Sequence, residues 1–479
     1  MSVRLAQINP TLGDFEGNLA EMLRAACGAA TVFFAWGAIS GWLTQAPDAT
    51  FAGQAAPALD RLAQDLPDSN IITAYWNEDF QPVIFISQAG QAKHIPAPWA
   101  RFEYGGANFL VCLDTPAAGV DADYCICLKP QCFLPFSLSE QPTLKLPGCT
   151  FGQVNLAGAQ DNLLFAGRSY WRSAAGRLSR AKSWQADNLS LNEARDEGVL
   201  PLMADIHAGL VCGIRDYVRK NGFKSVILGL SGGIDSALVA ALAVEALGAA
   251  NVYALSMPSR YSSAGTQDDA RQQAFNQGIN FEIVPIEPLV AGFNEVMAPL
   301  MGDGPPGLEQ ENLQARIRCV LLMTMSNRHN HLLLATSNRS ESLVGYATLY
   351  GDMSGGLAPI AGLYKTEVYL LAEHINAQRQ IIPPSVIERP PSAELRPDQK
   401  DQDSLPPYPQ LDALLHGLVD KGLSVAQVTG QGYDGQLVRK VEKLLTTSQY
   451  KRAQAPPGLG LRKELALPLT AKRRFLAGL

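Results

Sequence analysis

Over the first ~185 residues the apolar positions fall in short runs broken by glycine, proline and aspartate. TVFFAW (31–36), NIITAYW (70–76) and PVIFIS (82–87) have the length and β-branched or aromatic content of strands, which suits an α/β or β-rich layer with a weaker helical signal. The stretch ADNLSLNEARDEG (186–198) is polar and lacks a strand pattern, so a domain boundary is placed there. Beyond it the pattern alternates. SVILGL (225–230) leads to an apolar helix ending at Gly248, NVYALSM (251–257) to a helix over 264–277, and FEIVPI (281–286) to a helix at about 311–327 before HLLLAT (331–336). Short Val/Ile/Leu-rich strands separated by helices predict a parallel sheet covered on both faces. In such sheets ligands bind beyond the carboxyl ends of the strands, so chemistry is expected just after SVILGL, NVYALSM and HLLLAT.

The chain has 479 residues, 47% hydrophobic and 18% charged, a composition that excludes a disordered or membrane-spanning protein. No run approaches the ~18 apolar residues of a bilayer helix, and MSVRLAQINPTLGDFEG lacks the build of a signal peptide, so a cytoplasmic location without membrane partners is expected. Eight cysteines without a disulfide framework read as reduced thiols. Cys125, Cys127 and Cys132 lack a CxxC pair and read as buried strand cysteines rather than a zinc site. A net charge of −6 argues against a nucleic-acid partner and for a small-molecule substrate.

The first strand is followed at once by Ser231-Gly232-Gly233-Ile234-Asp235-Ser236 and an apolar helix. Two glycines let the backbone turn with its N–H groups inward, and the helix N-terminus adds partial positive charge, which together cradle a phosphate. A glycine-rich turn whose Ser and Asp cap the helix is the other reading. The loop is not a Walker motif, because no Gly-Lys-Ser/Thr ends it. Asp235 would repel phosphate unless a cation intervened, which points to Mg²⁺.

SGGIDS with its strand and helix resembles the phosphate loop of the N-type ATP pyrophosphatases. MPSRYSS (257–263), EQENLQARIR (309–318), LLATSNRSE (333–341), GYATLYGDMSGGLAPI (345–360), LYKTEV (363–368) and YKRAQAPPGLGL (450–461) are together similar to the synthetase domain of the glutamine-using NAD synthetases. The resemblance implies an α/β chain: a doubly wound parallel sheet of the adenine nucleotide alpha hydrolase-like kind (200–479), preceded by a linker (186–199) and a shortened nitrilase-like α/β sandwich domain (1–185). It implies ATP contacts from Gly229, Leu230, Ser231, Gly232, Gly233, Ile234, Asp235, Ser236, Met257, Thr336, Lys365 and Ser392. Asp235 and Glu341 are then Mg²⁺ ligands, and Asp235 and Lys365 the catalytic pair. Asn312, Arg316, Glu341, Asp352 and Lys451 are assigned to the dinucleotide. Asn312 and Arg316 stand four apart and so share a helix face, although a solvated face has the same spacing. Glu341 reads equally as a helix N-terminal acid, and Lys365 and Lys451 as surface lysines. The proline-rich stretch 388–410 is a candidate lid, or a plain surface loop.

The implied reaction is ATP-dependent amidation of nicotinate adenine dinucleotide (deamido-NAD) to NAD through an acyl-adenylate. The implied assembly is at least a homodimer.

The N-terminal part resembles the nitrilase-like glutaminase domain of those enzymes through LAQINPTLGDFEGN (5–18) and VNLAGAQDNLLFAGRSY (154–170). That domain hydrolyses an amide with a cysteine nucleophile, a glutamate base and a lysine. Here Trp36 stands at the glutamate position, Ala92 at the lysine position with Lys93 beside it, and Cys112 at the nucleophile position. The domain is therefore expected to be non-catalytic. The synthetase is expected to depend on free ammonia, or on ammonia from a separate donor protein, with residual glutamine use or a non-catalytic scaffold as alternatives.

Overall fold

The computed structural model describes residues 2–42, 49–114, 120–136, 146, 148–301 and 307–462. The described residues form two compact units, 2–216 and 217–462.

In the first unit one six-stranded sheet runs in the order Asp187–Ser190, Val3–Gln7, Thr31–Phe34, Asn70–Trp76, Pro82–Gln88, Gln91–Ile95. A second runs Leu178–Arg180, Tyr170–Arg172, Thr150–Gln153, Tyr124–Cys127, Ala107–Cys112, Trp99–Tyr104. Leu5, Phe33, Ile72 and Ile84 from the first meet Phe109, Val111, Ile126 and Trp171 from the second in one buried cluster, which makes the unit a sheet-on-sheet sandwich. The other face of the first sheet, carrying Phe34, Ile71 and Phe85, is covered by Leu19 and Met22 of the helix Phe15–Ala26 and Leu59 and Leu62 of the helix Ala55–Asp65. Both faces of Thr31–Phe34 are thus buried, which is why its run has no polar alternation.

The polar stretch 186–198, read as lacking a strand, contains the strand Asp187–Ser190, antiparallel to Val3–Gln7. Only Leu189 of its four residues points into the sandwich core, so an edge strand here carries one apolar residue and no visible alternation.

In the second unit four parallel strands lie in the order Asn280–Ile283, Val252–Ser256, Val226–Gly229, Leu332–Leu333. The helix Ile234–Leu247 ends at Gly248 and is apolar nearly all round, as a helix packed on every side must be. The helix Ala264–Gln277 coincides with the predicted one, and the third predicted helix extends over Leu308–His329. A helical cluster built on Leu411, Leu414, Leu415, Val438 and Val441 follows the sheet. Among the described residues no helix is long and apolar enough to cross a membrane.

Candidate active site

The turn from Val226–Gly229 into Ile234–Leu247 opens at the carboxyl edge of the sheet. Gly232 has φ +83°, and a Cβ there would collide with the Thr266 backbone carbonyl, so only glycine fits this close approach. The Ser231 amide donates to Ser236 Oγ (3.2 Å), which donates to the Gly233 carbonyl (3.0 Å) and holds the loop closed. No side chain caps the helix at its N-cap Gly233, which leaves that terminus suited to an anion.

A cavity of about 310 Å³ lies over this loop. Gly229 through Ser236, Met257, Thr336, Glu341, Asp352, Lys365 and Ser392 line it, so the sequence-assigned ATP, metal and catalytic positions come together on one concavity.

At its floor Lys365, 2% exposed, donates to Asp235 Oδ2 (2.5 Å) and Glu341 Oε1 (3.0 Å). It is therefore not a surface lysine. It opens the helix Lys365–Gln378, whose first turn is pinned by its own amide donating to Ser340 Oγ (2.9 Å) and the Thr366 amide donating to Asp412 (2.9 Å). Burial alone would lower the Lys365 pKa, yet Asp235 and Glu341 outweigh it and hold the ammonium protonated. Asn338 caps the helix Arg339–Val344 by accepting from the Glu341 amide (3.0 Å), and its Nδ2 donates to Asp235 Oδ1 (2.8 Å). Glu341 is thus both a first-turn acid and a partner of Lys365.

Burial pushes the Glu341 carboxyl up to about 7, with Lys365 opposing and Asp235 adding to the shift. The folded chain then holds a proton between the ordinary value of 4.5 and about 7 that the unfolded chain does not hold. Stability of the substrate-free protein should accordingly fall as pH rises through that window. Glu341→Gln should flatten that part of the Tm–pH curve, and an unchanged slope would remove Glu341 as its source.

Asn312, Arg316 and Lys451 do not line the cavity. They converge instead on its rim segment 345–352: Thr348 Oγ1 donates to Asn312 Oδ1 (2.8 Å), Arg316 to the Leu349 carbonyl (3.3 Å), and Lys451 to the Ala347 (2.6 Å) and Gly345 (2.8 Å) carbonyls. Asp352 accepts from the Thr348 amide (2.7 Å) in the same segment, and burial raises its pKa. The stretch 388–410 lies folded against the cavity. The Leu395 carbonyl accepts from Gln314 (3.0 Å), and Glu394 from Thr266 Oγ1 (2.9 Å).

Sequence reasoning missed Arg318, Asn338, Asp401 and Tyr408. On the helix Leu308–His329 the cavity side is Ala315, Arg318, Cys319 and Leu322, the i, i+3, i+4, i+7 stripe, whereas Asn312 and Arg316 fall beside it. Arg318 donates to the Met257 carbonyl (3.0 Å), and burial pulls its pKa down to about 10 against the pull of Asp352 and Glu394. A lone arginine within that stripe was the available signal.

Among the described residues no group of three or more His, Cys, Asp and Glu is arranged to hold a metal ion. The donor set nevertheless fits Mg²⁺, which takes one or two protein carboxylates, here Asp235 and Glu341, and completes its shell with phosphate oxygens and water.

In the first unit the three positions of the amide-hydrolysing set lie in different places. Trp36 sits in the core between the sheets, with its ring 4.2 Å from Trp76 and 5.2 Å from Trp42. Ala92 packs on the helix-covered face of the first sheet, and Lys93 is exposed. Cys112 points to the opposite side of its own sheet, into a cluster with Cys125, Cys127, Cys149 and Phe151, and its thiol is pushed up by hydrogen bonding to Cys125 and Cys127 and by burial. Cys125 and Cys127 are buried on their strand, and Cys132 is half-buried.

The sequence model of the family described as NAD synthase matches residues 206–455. A glutamine-dependent NAD(+) synthetase of Synechocystis is 47% identical over 317 residues, 64% of this chain and 57% of that protein, so the match spans little more than half of the relative's length. One from Aquifex aeolicus is 34% identical over an alignment of 567 residues that takes in 98% of this chain and 99% of the relative. Among solved structures, the glutamine-dependent NAD+ synthetase of Acinetobacter baumannii in complex with ADP superposes with a TM-score of 0.72 at 30% identity over 98% of this chain and 97% of that one. That of Cytophaga hutchinsonii superposes with 0.85 at 18% identity over 100% and 99%, a likeness of fold. These bear out the expected α/β architecture, with a parallel-sheet synthetase domain behind a nitrilase-like first domain. Each of these relatives is named for glutamine, which does not support the expectation that ammonia is preferred. With more than half of its length matched by the family model and a relative aligned from end to end, the chain belongs to the NAD synthase family.

Proposed function

We propose that the second unit amidates deamido-NAD to NAD at the expense of ATP. The observation that carries this reading is the meeting of Lys365, Asp235 and Glu341 with the SGGIDS loop in one cavity. ATP lies with its phosphates on Ser231–Ser236, and the rim residues Asn312, Arg316, Asp352 and Lys451 face the dinucleotide. Arg318 adds a cationic group to the cavity wall.

A nicotinate carboxylate oxygen attacks the α-phosphorus, the bond to the β-phosphate oxygen breaks, and pyrophosphate leaves. Lys365 stabilises the charge that develops on the phosphates, and its two carboxylates fix it in place. Mg²⁺ bound at Asp235 and Glu341 would supply further neutralisation of phosphate charge. Ammonia then attacks the acyl carbon, AMP leaves with its electron pair, and the nitrogen loses a proton. The segment 388–395 shields the adenylate from water.

Free ammonia is the nitrogen source that the first unit's side chains favour, because Trp36 cannot accept a proton and Cys112 faces away from it. Losing the general base alone costs about 10²–10⁴-fold in amide hydrolysis. The second reading, glutamine dependence, is favoured by the shared name of the relatives. NAD formation with ammonium chloride or glutamine as sole nitrogen source separates the two. Ammonium at least ~10²-fold better than glutamine supports the first. Comparable rates support the second, and no NAD from either defeats the synthetase reading.

A homodimer is proposed on the strength of Phe293, Val296 and Leu300 on the helix Glu287–Met301 and of Val320 and Met323 on Leu308–His329, all exposed. Apolar helix faces of this kind mark protein interfaces. Val296→Glu combined with Val320→Glu should halve the mass seen by light scattering, and an unchanged mass would place the interface elsewhere.

A further inference from the structure

Asp401 lies in the cavity wall beyond Glu341, is 4% exposed, and takes no part in the steps above. Tyr408 donates its hydroxyl to Asp401 Oδ2 (2.8 Å) and Tyr346 also approaches the carboxylate, while Oδ1 is buried with no donor at hydrogen-bond geometry among the described residues. A buried carboxylate oxygen left without a donor is costly unless a ligand supplies one. At this end of the cavity Asp235, Glu341 and Asp401 bring three carboxylates near Lys365, whose ammonium hydrogen-bonds Asp235 and Glu341, while Arg318 donates to the Met257 carbonyl and Arg389 pairs with Asp269. Tyr346 and Tyr369 line the same wall, and the Tyr408 ring already has Lys365 Nζ 5.2 Å from its centroid. A single open carboxylate oxygen among tyrosines suits a compact N–H donor better than Mg²⁺, which demands a shell of oxygens.

We infer that Asp401 Oδ1, with Tyr346 and Tyr369 lining the same cavity, forms the site that captures ammonium, the protonated form in which the nitrogen substrate predominates in neutral water. The inference rests on the proposed synthetase reaction and names where that reaction's second substrate first binds. Tyr408 is a positioning residue here, acting through Asp401. The captured ammonium gives one proton to water, and the ammonia left beside Glu341 and Lys365 is the nucleophile that attacks the acyl carbon.

The test is steady-state NAD formation by the full chain with ammonium chloride as the only nitrogen source, ATP, Mg²⁺ and deamido-NAD each being varied in turn. Asp401→Asn should raise the KM for ammonium by about 10-fold or more, the loss of one charge-assisted hydrogen bond, with kcat at saturating ammonium within about 3-fold of the parent. The KM values for ATP and deamido-NAD and the Mg²⁺ requirement should not move, and Asp401→Glu should recover part of the ammonium affinity. An unchanged KM for ammonium, a raised Mg²⁺ requirement, or a loss confined to the dinucleotide's KM would each overturn the assignment. Should Asp401→Asn fail to fold, Tyr408→Phe, which keeps the carboxylate and frees it, carries the same test with a smaller rise expected. Parent protein that makes no NAD from ammonium would instead remove the synthetase reading, a result distinct from an active parent and an indifferent variant.

Discussion

Lys365→Met should lower kcat for NAD formation by about 10²–10³-fold, the scale on which losing one preorganised charge donor is felt. The substitution keeps the length of the side chain and removes only its ammonium, which bridges Asp235 and Glu341 at 2.5 and 3.0 Å. Stability should fall as well, because two carboxylates, each less than a fifth exposed, are left facing one another. Breaking a buried pair in this way costs about 3–5 kcal/mol. Glu341 can relieve that cost by taking a proton, since burial has already pushed its carboxyl up to about 7. The Tm penalty should therefore be smaller at pH 6 than at pH 8. Equal penalties at both would mean that Lys365 is not the charge that keeps Glu341 ionised.

Gly232→Ala is expected to cost at least about 10² in kcat/KM for ATP, because the loop must move by roughly an ångström to admit a methyl group. Its φ of +83° is left-handed, and the added Cβ would run into the Thr266 backbone carbonyl rather than a yielding side chain. The strained backbone should add about 1–3 kcal/mol of destabilisation. Gly233→Ala is the control. Gly233 has an extended φ of −92°, and its Cβ would meet only Ser231 Oγ at 3.4 Å, an ordinary contact. Similar losses in both variants would show that the loop needs flexibility in general and not the close approach at Gly232.

The alternation of Val/Ile/Leu runs with helices located the four strands among the described residues of the second unit, and the rule that ligands gather at their carboxyl ends located the cavity. Spacing along one helix was less informative. Asn312 and Arg316 share a face, but the face that meets the cavity is turned by about a quarter of a turn and carries Arg318. Asp401 and Tyr408 both sit in the polar, proline-rich stretch 388–410, whose local pattern predicts no fold. Their placement depends on tertiary bonds such as those from Gln314 to the Leu395 carbonyl and from Thr266 to Glu394. In the first unit the residue identities at 36, 92 and 112 could be read directly. That Trp36 and Cys112 lie on opposite sides of a sheet depends on strand register, which sequence alone does not fix.

The central claim is that the carboxylate of deamido-NAD attacks the α-phosphorus of ATP. It is tested most directly by running the reaction with deamido-NAD labelled with ¹⁸O in both carboxylate oxygens and finding the label by mass spectrometry. The account predicts one ¹⁸O in the phosphate of AMP, with pyrophosphate unlabelled and the other oxygen retained in the NAD amide. Label in inorganic phosphate with ADP as the nucleotide product, or AMP free of label, would contradict it.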